Sequence, residues 1–124
     1  MMNDKLTEQI IACAYKVHNT LGAGFLEKVY ENAMMIEFRK QGLFSEQQKN
    51  IQVYYEGEIV GDYFADLFVE NEIIVELKAI EKLAKVHEVQ TVNYLNGIDK
   101  EIGLLINFGS SVTVKRKFKS YDKQ

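Results

Sequence analysis

The chain has 124 residues, of which 47% are apolar and 27% charged, with a net charge of −3. That balance is globular and fills one core, which excludes a disordered polymer and makes residues 1–124 a single domain. No apolar run approaches the ~20 residues that cross a bilayer, residues 1–5 lack a leader's basic-then-apolar pattern, and the acidic balance argues against a strong non-specific nucleic-acid binder.

The lone cysteine, Cys13, excludes an internal disulfide, and cytoplasmic residence without a membrane association is the expectation. A first helix is predicted from about Lys5 to Leu21, because Leu6, Ile10, Cys13, Ala14, Val17 and Leu21 recur at helical spacing. Asn3 or Asp4 caps its start and Gly22 ends it. Cys13 falls on the apolar side of this helix, which points to packing, not to nucleophilic chemistry. His18 sits near its C-terminal end, where a histidine suits the dipole, and a ligand role is not expected of it.

After a Gly-Ala-Gly link, a second helix is predicted from about Leu26 to Gln41, with Leu26, Val29, Tyr30, Ala33, Met34 and Phe38 as its apolar stripe and Gly42 after its end. The period then changes to two. Ile51, Val53 and Tyr55 alternate with polar residues, Glu56-Gly57 reads as a turn, and strands follow over about Ile59 to Val69 and Ile73 to Lys78, giving an antiparallel meander. A third helix is predicted from about Lys82 to Asn96, with Leu83, Val86, Val89, Val92 and Leu95 apolar. The unbroken apolar run Gly103 to Phe108 reads as a buried strand, reached by a crossover and so parallel to the strand ending at Lys78. Val112 to Phe118 supplies a last strand. The order α-α-β-β-β-α-β-β predicts an α/β (α+β) fold, with helices packed on a mixed central sheet.

The chemistry concentrates on Asp66, Glu76 and Lys78. Side chains alternate along a strand, so Glu76 and Lys78 share a face. A three-residue loop, Glu70 to Glu72, pairs Val69 with Ile73 and sets Asp66 opposite Glu76 on that same face, whereas a two-residue loop separates the acids. Two carboxylates ~5 Å apart repel by ~3 kcal/mol at an effective dielectric of ~20. Lys78, a proton on one acid or a bridging divalent cation can offset this. Mg²⁺ suits the last case, since it takes one or two protein carboxylates and leaves its other positions to water and substrate. Such a site activates water against a phosphodiester while the lysine offsets charge developing on the phosphate. A plain cross-strand ion pair would use the same residues.

On the third helix His87, Gln90 and Tyr94 form a polar stripe at i, i+3 and i+7, placed to support such a site if the stripe borders it. On the second helix Glu27 lies at i, i+3 with Tyr30 and one turn from Glu31. Two basic groups complete the picture: Lys82 and Lys85 follow the acidic motif, and Lys115-Arg116-Lys117-Phe118-Lys119 is read as solvated surface.

Gly24-Phe25-Leu26-Glu27-Lys28-Val29-Tyr30, together with Ala65-Asp66-Leu67, Val75-Glu76-Leu77-Lys78, Gln90 with Tyr94, and Gly103 to Gly109, resembles the GxxExxY family of the PD-(D/E)XK nuclease-like superfamily. The resemblance runs from His18 to about Arg116. It implies a restriction-endonuclease-like core, with Asp66 and Glu76 as ligands of Mg²⁺ or Mn²⁺, Lys78 as the catalytic lysine, Glu27 as an acid supplied from the helical region, and Gln90 with Tyr94 beside them. Alanine stands at position 65, where the superfamily motif has proline, a mild departure because that proline takes no part in the chemistry.

The leading expectation is a metal-dependent nuclease acting on nucleic acid, DNA in particular. Its rival is a catalytically inactive module of the same fold that binds nucleic acid or a protein. A purely structural domain leaves the polar stripes without a reason. A homodimer would double a small footprint on a duplex.

Overall fold

The structure, a computed structural model, describes residues 4–119. Leu6, Ile10, Cys13, Ala14 and Val17 line the buried side of α1 (Asp4–Leu21) as their spacing predicts. Asn3, one of the two candidate caps, lies outside the described residues. The link to α2 (Glu27–Lys40) needs glycine at position 24, where φ is +105°. Tyr30 fixes this link from inside the core. Its ring stacks on Phe108 at 4.4 Å, and its hydroxyl donates to the Gly22 carbonyl at 2.6 Å and accepts from the Phe25 amide at 3.3 Å. The E-x-x-Y spacing thus ties Glu27 to an anchored turn. The expected apolar stripe of α2 is only partly internal. Tyr30, Met34 and Phe38 are buried, whereas Leu26 and Val29 are exposed, because they precede or flank the turn that the core holds.

Five strands form one mixed sheet in the order β1 (Ser45–Tyr55), β2 (Glu58–Val69), β3 (Ile73–Lys78), β4 (Ile102–Phe108), β5 (Val112–Phe118). All neighbours are antiparallel except β3 and β4, whose parallel pairing follows from the crossover through α3 (Lys85–Ile98). Helices α1 and α2 cover one face, over Leu67, Val69, Val75, Leu77, Leu104 and Ile106. Helix α3 covers the other, where Leu95 and Tyr94 pack with Ile51, Phe68 and Ile74. Every residue of β4 is buried, which is why it reads as a continuous apolar run. Among the described residues no helix is long and apolar enough to cross a membrane.

Two further elements differ from the sequence expectation. β1 starts six residues before Ile51, in the polar stretch Ser45–Asn50, because an edge strand satisfies its inner ladder without an apolar face. In α3 the expected stripe is rotated: Thr91, Tyr94 and Leu95 are buried while Val86 and Val89 stand exposed. Close approach sets this rotation, since a Cβ on Gly97 would lie 2.8 Å from Ile51 Cγ2. Three of the basic residues between Lys115 and Lys119 are paired at the surface. Lys117 meets Glu88 at 3.0 Å, Arg116 lies 3.7 Å from Asp4, and Lys119 bonds Asp99; Lys117 also holds the Glu88 carboxyl below its usual range.

Beyond β3 the chain is pinned by Asn107. Its Oδ1 accepts from the Ile80 amide at 3.0 Å and its Nδ2 donates to the Ile80 carbonyl at 2.9 Å, so one side-chain amide satisfies a whole peptide unit. The Asn107→Ala protein is expected to lose about 1–3 kcal/mol, seen as a Tm lower by roughly 4–10 °C, with faster proteolysis between residues 79 and 84. An unchanged melt would show that the pin is dispensable.

Candidate active site at the strand fork

The ladder between β2 and β3 joins Val69 to Ile73, Phe68 to Ile74 and Leu67 to Val75, and stops there. The three-residue loop therefore has the parity that sets Asp66 toward Glu76. At that step side chains replace the ladder. The Asp66 amide donates to Glu76 Oε2 at 2.7 Å, and the Leu77 amide donates to Asp66 Oδ2 at 2.7 Å. Each acid terminates the other strand's hydrogen bonding, and two carboxylates are locked side by side where the strands part.

Asp66 is also a break in facing. Ala65 and Phe68 both pack toward α3, while Leu67 and Val69 pack toward α1 and α2. Strict alternation would set Ala65 and Phe68 on opposite faces. Across the ladder, Gln48 holds a left-handed φ of +54° between the Gln47–Leu67 and Lys49–Ala65 pairs. The β1–β2 ribbon thus turns over at Gln48 and Asp66 and runs on without β3.

Glu76 is 6% exposed, and its carboxyl is pushed up to about 8, first by burial and next by the Asp66 charge, against the bond from the Asp66 amide and the pull of Lys78. Asp66 is half-buried and also raised, by burial first, while the Leu77 amide opposes the shift and Glu31 and Glu27 add to it. Glu76 Oε1 accepts no hydrogen bond among the described residues and is not one of the sealed polar atoms. The site therefore holds hard oxygen donors, one of them without a hydrogen bond, and Asp66 with Glu76 fit Mg²⁺ or Mn²⁺ in donor chemistry. Among the described residues no three His, Cys, Asp or Glu side chains converge closely enough to hold a metal by themselves. Glu27 acts on both acids through space.

Helix α2 reaches the site through Glu31, which the sequence singles out only as a neighbour of Glu27. Glu31 is buried and satisfied by Lys28 at 2.9 Å, Gln47 at 2.7 Å and Gln48 at 3.0 Å, and Gln48 Nε2 also lies 3.5 Å from Asp66 Oδ1. The signal available in the sequence was Gln47-Gln48 in a polar strand, legible only once β1 is extended back to Ser45. From α3, Gln90 Nε2 donates to the Tyr94 hydroxyl at 3.0 Å. The Tyr94 phenol is pushed up to about 12 by burial and then by Glu76 and Asp66, so it keeps its proton. His87 is not with them: its Nδ1 accepts from the Ala84 amide at 3.0 Å and caps α3. His18 bonds the Gly109 carbonyl through Nε2 at 2.9 Å, away from the fork.

The raised Glu76 value carries a sign. The folded protein holds a proton that the unfolded chain releases above 4.5, so this stabilisation is complete below pH 4.5 and is lost as pH rises through about 8. Denaturant melts without metal are expected to show stability falling by roughly 3–5 kcal/mol across that window. The Glu76→Gln protein should be nearly flat there, and Mn²⁺ should restore stability to the wild type at the alkaline end. A wild-type profile as flat as the variant's refutes the shift.

A family model of the PD-(D/E)XK nuclease superfamily matches residues 4–120. Among solved structures, the one described as "Crystal structure of SSO0001" is similar over 77% of this chain with a TM-score of 0.60 and 14% identity. This chain spans about half of that protein, 50% of its length, and the likeness concerns the fold. A search of curated proteins gives no match. With the match running through both helices before the sheet and all five strands, the chain belongs to the PD-(D/E)XK nuclease superfamily.

Proposed function

We propose that this protein is a divalent-metal-dependent nuclease that hydrolyses phosphodiester bonds in nucleic acid, DNA in particular, and that it belongs to the GxxExxY branch of its superfamily. One observation carries the reading: two carboxylates are built into the backbone hydrogen bonding of a strand fork, one so buried that its charged form needs a cation, with a lysine two residues along the same strand. Membership of a nuclease superfamily supports it. Asp66 and Glu76 hold Mg²⁺ or Mn²⁺, with Glu27 joining them directly or through water. When bound, the cation lowers the pKa of water and offsets charge on the phosphate.

The protein's own groups do the rest. Lys78 offsets the charge that develops on the phosphate oxygens. Tyr94, protonated throughout the working pH range and held by Gln90, donates a hydrogen bond toward the acids or the substrate. Glu31, acting through Gln48, holds Asp66 in place. Lys82 and Lys85 are exposed, make no salt bridge among the described residues, and lie on the approach from β3 to α3, where they can meet the phosphates flanking the cut.

That no third ligand converges on Asp66 and Glu76 among the described residues favours a second reading, a module of the same fold that has lost cleavage. One experiment separates the two. Because both acids also cap backbone amides, Asp66→Asn and Glu76→Gln keep an acceptor in place and are better probes than alanine. With Mg²⁺ or Mn²⁺ and a panel of labelled nucleic acids, each is expected to abolish cleavage with little change in the far-ultraviolet spectrum. Lys78→Ala should slow cleavage by roughly 100-fold or more. With only Lys78, Lys82 and Lys85 facing phosphates, log–log salt plots of binding should have a slope no steeper than about −3. Cleavage that survives both acid variants sinks the enzyme, and a wild type that binds nucleic acid but never cuts it supports the module.

A further inference from the structure

Beside the carboxylates a groove of about 710 Å³ opens between α3 and the β1–β2 hairpin. Tyr94, bonded to Gln90 in its wall, also feels the charges of Glu76 and Asp66, so the groove lies next to the acidic site. Its aromatic surface is unusual for a wall facing solvent. Tyr54 is 60% exposed and Tyr63 48% exposed, and the Tyr63 ring sits 5.9 Å from that of Tyr94 at a 47° tilt, so the two faces are not closed on each other. Opposite them stand Val86 and Val89, the valines that the rotation of α3 turns outward.

No residue lining this groove is charged. Besides the tyrosine hydroxyls, its polar side chains are the amides of Gln52, Gln90, Asn93 and Asn96, a type of group that both donates and accepts. A phosphate, a lipid headgroup or a charged peptide would meet no counter-charge there. A flat, neutral group with hydrogen-bonding edges would meet tyrosine faces, valine walls and amides together. Nucleobases have that chemistry, and their faces are available only when they are not stacked within a duplex.

Resting on the nuclease reading above, we infer that the groove receives unpaired bases adjoining the scissile phosphate, and that the substrate is a single-stranded segment, free or as part of a branched or flapped duplex. The backbone then crosses Asp66, Glu76 and Lys78 while neighbouring bases turn into the groove between Tyr54, Tyr63 and the valines. The hairpin can supply these rings because it leaves β3 at Asp66; a sheet continued to Tyr55 on all strands would close the same space.

The test measures binding to a fluorescent single-stranded oligonucleotide and to a blunt duplex of the same sequence, with Ca²⁺ in place of Mg²⁺ to hold binding apart from cleavage. The wild type is expected to prefer the single strand. The double variant Tyr54→Ala with Tyr63→Ala should bind it roughly 10- to 100-fold less tightly. Val89→Glu, on the facing wall, should do the same by placing a negative charge among the bases. Mn²⁺ binding by calorimetry should be unchanged in both variants, which shows that the site itself is intact. Equal single-strand affinity in the wild type and both variants overturns the inference, as does a wild type that prefers blunt duplex. So does a double variant that merely turns a dimer into a monomer in sedimentation with single-strand affinity retained, for the groove would then be an interface between copies. Failure of the nuclease reading looks different: tyrosine-dependent binding persists and no nucleic acid is cut.

Discussion

The reciprocal bond between two strands at Asp66 and Glu76 is the constraint on which the rest depends. A β ladder that stops leaves amides without acceptors, and buried amides need them. Here each missing acceptor is the acid of the facing strand. Backbone satisfaction therefore requires both carboxylates to point into the same small volume, and electrostatics opposes their doing so as anions. A neutral Glu76 resolves the conflict without metal, because Oε2 still accepts the Asp66 amide while Oε1 is left to carry the proton. A cation resolves it with both acids ionised. Proton and metal would thus compete for one frustrated pair, and a cation taken up there would release a proton.

The same step in the chain governs the shape around the site. The left-handed Gln48 and the change of facing at Asp66 turn the β1–β2 ribbon over, and β3 ends two residues beyond Glu76. One consequence is that Gln48 lies between Glu31 and Asp66, so that α2 is coupled to the site through a buried glutamate with three donors. Another is that the far half of the hairpin stands away from the sheet, and α3 packs against it at Ile51 through a helix surface bared at Gly97. Site, groove and coupling all arise where a regular sheet is interrupted.

What could be read from sequence follows the same division. The regular parts were legible because simple periods encode them: the alternation of Glu76 and Lys78, the three-residue loop that fixes parity, the unbroken run of β4, the crossover into a parallel pair. The superfamily was legible because its motifs mark these same positions. The irregular parts were not. Ser45–Asn50 has no apolar alternation, since an edge strand is held by one ladder alone. The rotation of α3 depends on how closely Gly97 approaches Ile51, a tertiary fact that overrides the stripe of valines. Glu31 looks like an ordinary surface glutamate until β1 is seen to carry Gln47 and Gln48 past it. His87, read as part of a polar stripe, belongs to a cap because the helix begins three residues later than its pattern suggests.

Charge placement completes the argument. A protein with a net charge of −3 has no overall field to draw in a polyanion. In its densest basic run, at the C-terminal end of the sheet, Lys117, Arg116 and Lys119 are paired with Glu88, Asp4 and Asp99. Among the lysines outside such pairs, Lys78, Lys82 and Lys85 sit on the path between the fork and α3. On the proposed reading, attraction for phosphate would be local and weak, and the remaining affinity would come from uncharged surface. An uncharged recess of about 710 Å³ opens beside that path and is walled in part by tyrosine. For a chain this small, contact with bases would offer what a basic surface does not: binding strength felt only where a strand is already open, and only within reach of the two acids.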